Sequence, residues 1–222
     1  MTASQRLTIS ADGNSVSSRQ SRRVTEGRSF TLISVERTST QRRQIESFIA
    51  RRFAEAYGAR INSFLPVLVA LVDRPGNVVA AAGYAAAGDG PLFLERYLDR
   101  PIEAAFETSA GRPVLRDSVV EIGNLAARTP GGTRYIALAI TGLLARLGFE
   151  WAAFTATQQV RNAIARCGLV PYDFGLASGS AMGEAVVNWG TYYDNDPRLV
   201  GGSLSGAAAL LAESEPATSL PC

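Results

Sequence analysis

The sequence predicts a mixed α/β fold in which a twisted, mostly antiparallel sheet is flanked by helices. Three observations predict it. Two apolar runs, Val67 to Asp73 and Val78 to Gly83, are joined by Arg74-Pro-Gly-Asn, a strong hairpin-turn signal. Ahead of them, Gln41 to Tyr57 repeats its apolar residues at helical spacing. Further on, two strand-like segments are each followed by a helix-like one, the pattern of crossover connections.

Taken in order, Phe30-Thr-Leu-Ile-Ser-Val alternates as a first strand. The helix from Gln41 carries Ile45, Phe48, Ile49, Phe53 and Tyr57 on one face, and Gly58 stops it. The hairpin follows, its second strand extended by the Ala-rich stretch Ala80 to Ala87. Leu92 to Leu98 reads as a strand end or a helix start, and Ile102 to Glu107 as a helix. Ser118 to Ala126 is a central strand. Thr133 to Leu147 is an amphipathic helix with Ile136, Ile140, Leu143, Leu144 and Leu147 on one face, closed by Gly148. Trp151 to Thr155 is a strand, and Gln158 to Cys167 a helix capped by Gly168.

Residues 1–27 are polar, without hydrophobic period, and are expected to be a mobile arm; 28–202 form one ordered domain and 203–222 an Ala/Ser-rich tail with a short helix from Gly206 to Glu213. The chain is 46% hydrophobic and 19% charged, as suits a soluble enzyme. All 22 basic residues are arginine, and a net charge of +2 is too small to argue for nucleic acid. Histidine is absent, which removes the usual general base and most zinc sites. The two cysteines make no disulfide framework and suit a reducing cytoplasm. The N-terminal stretch lacks the apolar core of a signal peptide, and no apolar run is long enough to span a bilayer, so no stable membrane insertion is expected.

The informative stretch is VVEIGNLAARTPGGTRY, Val119 to Tyr135. A strand passes through Arg128, Gly131, Gly132 and Thr133 into a helix. A helix N-terminus presents unpaired N–H groups that attract anions, and Arg128 and Arg134 would add charge. The same residues also read as an ordinary Pro-Gly connector.

This arrangement resembles the acyl-CoA pyrophosphate loop of the GNAT acyltransferase superfamily, with Arg128, Gly131 and Thr133 in its slots and Thr where a smaller residue is usual. The following unit, EWAAFTATQQVRNAIARCGLVP, resembles the next GNAT strand and helix. Many GNATs carry a tyrosine general acid four residues before the glycine that occupies the Gly168 position; this chain has Ile164. Four segments (LFLERYLDRPIE, VEIGNLA, FTATQQVRN and WGTYYDNDPRLVGG) resemble the thermostable hemolysin family, which looks like a GNAT relative with kinship to acyl-homoserine-lactone synthases. The resemblance implies a GNAT-like sheet with splayed central strands.

The resemblance also implies roles. Glu121 stands where GNATs often place the base, and with no histidine a partly buried carboxylate is the natural substitute; its other reading is an ion pair to an arginine. Asn124 points away from Glu121 on a regular strand, and a bulge at Gly123 would bring both to one face. Glu95 either orients an amine or pairs with Arg96 or Arg100, with Tyr97 beside it on the substrate side. Thr155 and Thr157 would end the strand where acyl-pantetheine inserts, and Arg161 and Asn162 begin the next helix, within reach of a phosphate or on a plain surface. Trp189, Tyr192 and Tyr193 are core or acyl-pocket lining. Arg51 and Arg52 are similar to arginines on the substrate side of lactone synthases, or form a solvated face.

The expected activity is N-acyl transfer from an acyl-CoA or acyl-carrier-protein thioester, used as co-substrate without a tightly bound cofactor, to a small amine or amino-acid-like acceptor. The expected chain is cytoplasmic, a monomer or homodimer, with acyl carrier protein as a macromolecular partner. A membrane-active lysin and a non-catalytic acyl-CoA-binding module are the alternatives.

Overall fold

The computed structural model describes residues 6–9, 30–166 and 168–207. Eight strands form one sheet: β1 (Arg6–Ile9), β2 (Phe30–Val35), β3 (Val67–Val72), β4 (Val78–Ala86), β5 (Val119–Ala127), β6 (Trp151–Ala156), β7 (Tyr172–Leu176) and β8 (Arg198–Ser203). Their order is β1-β2-β3-β4-β5-β6-β8-β7. Among these strand pairs only β5 and β6 run parallel, joined by a helical crossover. The helices are α1 (Arg42–Tyr57), α2 (Ile102–Ala110), α3 (Pro130–Arg146) and α4 (Gln158–Arg166).

The hairpin forms as its turn residues dictate. Asp73 Oδ1 accepts from Asn77 N at 2.7 Å, and Gly76 takes a positive φ of 90° that a β-carbon would oppose. Helix α1 ends at Gly58, in the left-handed conformation, whose N–H returns to Ala54 O. The alternation of each strand then sorts the helices. Val69, Leu71, Ala80, Ala82 and Val120 face α3, which buries Ile136, Ile140 and Leu144 at successive turns. Each such side chain contributes roughly 1.5–3 kcal/mol by leaving water. Leu68, Ala70 and Ala81 face α1 on the opposite side, and Val119, Trp151 and Ala153 continue that face under α2.

Three outcomes differ from the sequence reading, and a fourth segment carried no expectation. Arg6–Ile9, inside the polar arm, pairs with β2 as an edge strand. Backbone pairing alone builds such an edge, so four residues leave no readable period. The ambiguous stretch after Leu92 is a 3₁₀ turn, Phe93–Tyr97. Helix α3 starts at Pro130, three residues before the expected Thr133, because Thr129 caps it and proline suits the first helical position. Much of the segment between β7 and β8 is 3₁₀, Gly179–Trp189 and Tyr192–Asn195. The rest of the arm, Cys167, Cys222 and most of the proposed tail helix lie outside the described residues, although 204–207 are helical.

Candidate active site

Strands β5 and β6 pair at Val119–Trp151, Val120–Ala152 and Glu121–Ala153, and their pairing ends there. Yet β5 continues to Ala127 and β6 to Ala156, so the two edges part beyond Glu121. This is the splay expected of the central strands. Beyond it, the facing backbone edges are free of each other and can pair with an extended ligand.

Glu121 stands at the last paired position. It is 4% exposed, and its Oε2 accepts hydrogen bonds from Phe93 N at 2.8 Å and Leu94 N at 3.4 Å. Burial pushes its carboxyl up to about 7, against the two N–H groups and the Arg96 charge, which favour ionisation. The expected alternative, an ion pair to an arginine, is not what holds this carboxylate.

Asn124 has a positive φ of 53°, and the β4–β5 register shifts between Ala81 and Gly83 to accommodate it. The bulge foreseen at Gly123 therefore falls one residue later. Asn124 Oδ1 accepts from Leu65 N at 2.9 Å, and Leu65 also covers the spaces over Gly83 and Gly123. Gly123 shares the Glu121 face, so the bulge turns Asn124 toward that side. Buried Arg42 fixes the same segment by donating to Leu65 O and Pro66 O.

Aromatic residues cover this face. The Phe93 ring lies 6.0 Å from Trp189, and Trp189 lies 5.3 Å from Tyr192. The Tyr192 hydroxyl donates to Thr155 Oγ1 at 3.1 Å on β6. A chain of contacts therefore crosses the splay from Glu121 to Thr155. The Tyr97 and Tyr193 hydroxyls meet at 2.7 Å beside it. Burial raises the proton affinity of Tyr97 and Tyr193 and pushes Tyr192 up to about 12, so all three stay protonated at neutral pH.

Glu95 is placed otherwise than expected. Its partner is Arg116, at 2.7 Å, rather than Arg96 or Arg100. Its oxygens also accept from Leu92 N and Ile102 N. The Arg116 hydrogen bonds hold its carboxyl down to about 2. A carboxylate this engaged organises the backbone around it and offers no base to an amine. Arg116 was not among the sequence candidates: nothing in its neighbourhood in the chain distinguishes it from the other arginines.

At the far end of β5, Gly131 and Gly132 lie in the first turn of α3 rather than in a loop. The Gly132 N–H is taken by Thr129, and a β-carbon on Gly132 would stand 3.3 Å from Ala127 Cβ. A side chain there would press the helix against the sheet, so the glycine eases their close packing. Thr133 follows in the same turn, half-buried, and Arg134, also half-buried, makes an interaction within the protein. Arg128 donates to Val78 O and lines a cleft of about 270 Å³ with Gln44, Ser47, Arg51 and Asn77. That cleft lies on the β4 side of β5, away from the splay. Arg52 ties α1 to the end of β5 by donating to Ala127 O at 3.0 Å.

On the β6 side, Thr157 is buried. Arg161 donates to Ala156 O, Gln158 Oε1 and Asp196 Oδ2, which fixes it within the protein. Asn162 is exposed and accepts from Gln158. Ile164 is half-buried in α4, none of whose described residues is fully buried.

The family model described as Thermostable hemolysin matches residues 35–208. Among solved structures, TofI in an apo form superposes with a TM-score of 0.56 at 16% identity, covering 82% of this chain and 95% of that one. FeeM, an N-acyl amino acid synthase from uncultured soil microbes, gives 0.55 at 12%, covering 83% and 97%. The AHL synthase LasI gives 0.54 at 12%, covering 80% and 91%. These likenesses show that the chain shares the fold of those three structures. No curated protein matches the chain.

Proposed function

We propose, from the premise that this chain belongs to the thermostable hemolysin family, that it is an N-acyltransferase taking its acyl group from a CoA or carrier-protein thioester. One observation carries this reading: a buried carboxylate held near neutrality stands where two parallel strands part. The structural likeness to an N-acyl amino acid synthase and an AHL synthase supports it.

In this reading the thioester lies along the open edges of β5 and β6, where backbone N–H groups polarise its carbonyl. A small amine attacks the carbonyl carbon. The new C–N bond forms as Glu121 takes the amine proton, and the C–S bond breaks to release a thiolate that is then protonated. A carboxyl near 7 works close to the ambient pH, where a general base is most effective. Ile164 has no proton to give, so the acid belongs to the phenols of Tyr97, Tyr192 and Tyr193 or to water. Asn124 shapes the site through Leu65, and Trp189 and the tyrosines line the acceptor or acyl side. Arg128, Arg134 and the first turn of α3 hold the phosphate-bearing end of the donor. The donor is a co-substrate, and the protein works in the cytoplasm as a monomer or homodimer.

The test exposes purified protein to acyl-CoAs and acyl carrier proteins with an amine mixture, following thermal shift and N-acyl products by mass spectrometry. Stabilisation by one donor class with an amide product is expected. Stabilisation without product would identify a binding module. Dye leakage from vesicles without any thioester would favour a membrane-active protein, although no described helix is long and apolar enough to cross a membrane.

A further inference from the structure

We propose that Arg116 is a positioning residue of this site: it fixes the turn whose Phe93 and Leu94 N–H groups hold the Glu121 carboxylate. Its connection to catalysis rests on the reading of Glu121 as the base.

Arg116 stands in the 3₁₀ turn Arg116–Ser118, directly before β5. A guanidinium has five N–H donors, and each meets an acceptor here. Nε donates to Ala87 O at 2.9 Å. Nη1 donates to Glu95 Oε1 and to Glu103 Oε2, both at 2.7 Å. Nη2 donates to Gly90 O at 2.9 Å and to Glu95 Oε2 at 3.0 Å. Glu95 passes this restraint on, since it accepts from Leu92 N at 2.9 Å and Ile102 N at 3.0 Å. Residues 87–103 are therefore gathered around one cation. Gly88 lies against this turn: a β-carbon there would stand 2.5 Å from Asp117 Oδ1, and the exposed Asp117 side chain would have to move aside.

Phe93 and Leu94 lie between the two ends of that clamp, Leu92 and Glu95. Their N–H groups reach Glu121 because the chain on both sides is held. Lysine offers three donors on a point charge and cannot reproduce a planar fork that serves two carboxylates and two carbonyls. The charged groups acting on Glu121 are Arg96, which favours its ionisation, and Glu95, which opposes it. Arg116 neutralises the second. The neighbouring phenols of Tyr97, Tyr192 and Tyr193 keep their protons. Loosening the clamp withdraws N–H groups that favour the carboxylate, while burial, which opposes it, remains.

The experiment is an NMR titration of the Glu121 carboxyl in isotopically labelled protein, its signal assigned by loss in Glu121→Gln. Wild type is expected to titrate near 7. Arg116→Met should titrate about one pH unit or more higher, the scale set by lost hydrogen bonds to a carboxylate. Glu103→Gln removes one of the negative charges on Arg116 but leaves the 87–95 clamp, and should titrate with wild type. An unchanged titration in Arg116→Met, or an equal shift in Glu103→Gln, overturns the proposal. If Arg116→Met does not fold, Arg116→Lys retains the charge without the fork; it should also shift upward, and an unshifted value overturns the proposal. The acid limb of the acyl-transfer pH profile should move with the titration. Shifted titrations without transfer by any variant or by wild type would uphold the clamp and reject the acyltransferase reading.

Discussion

The two ends of β5 use their polar groups differently. At the start, the strand carries a buried carboxylate whose proton is held to about 7, and the surrounding turn is organised by Arg116 and Glu95 to meet it. At the end, the strand runs into Thr129, Pro130 and a helix whose glycine packs against Ala127. The first region holds a polar group in a state that costs stability; the second satisfies its backbone locally and keeps Arg128 at the surface. Glu95 and Glu121 sharpen the contrast. Glu95 is half-buried, faces a cation and is held near 2, whereas Glu121 is buried, takes its hydrogen bonds only from backbone N–H groups and rises to about 7. Environments that push two carboxyls apart in this way separate a structural anion from a group able to exchange a proton.

The largest expected effect tests the first region. Glu121→Gln should lower kcat/KM for acyl transfer by about 10²–10⁴-fold, the usual contribution of a positioned base, with donor affinity unchanged. The same substitution should stabilise the protein at alkaline pH. An unfolded carboxyl ionises near its ordinary 4.5, while the folded one keeps its proton to about 7. The stability it contributes is thus complete below 4.5 and is lost as pH rises through 7. At 1.36 kcal/mol per pH unit, that amounts to roughly 3 kcal/mol. Chemical denaturation of wild type and Glu121→Gln between pH 4.5 and 8 should show the gap opening over that window. Parallel curves would remove burial as the cause.

The second region predicts smaller changes. If Arg128 holds the donor phosphate, Arg128→Ala should raise the donor KM about tenfold with kcat retained, as for one lost charge-assisted hydrogen bond. A raised acceptor KM instead would move the anion site elsewhere. Thr129→Ala should cost about 1 kcal/mol of stability through the lost helix cap, read from the denaturation midpoint. No change there would mean that Pro130 alone sets the helix start.

Much of the fold was legible because periodicity records burial locally. Helix α3 announced itself by Ile136, Ile140 and Leu144, and the hairpin by Arg74-Pro-Gly-Asn. The stretch from Glu121 to Thr133 stood out for its residue types, and the resemblance supplied the splay. Partners were not legible. Nothing in the local sequence connects Glu95 to Arg116, or Arg161 to Asp196, because those pairs form across loops that only the folded chain closes. The positive φ of Asn124 and the covering of Gly123 by Leu65 likewise arise from register between strands. The 3₁₀ turn at Phe93–Tyr97 was ambiguous for a related reason: Glu95 caps it locally through Leu92 N, but the Arg116 that holds Glu95 in place comes from a distant part of the chain.

The central claim, that Glu121 exchanges a proton at the splay during N-acylation, is tested most directly by the pH–rate profile of product formation. Wild type and Glu121→Gln should be compared under saturating thioester. Wild type is predicted to gain rate through a single ionisation near 7, and Glu121→Gln to form little product with no such step. An N-acyl product made by Glu121→Gln at the wild-type rate, with the same rise near 7, would contradict the account.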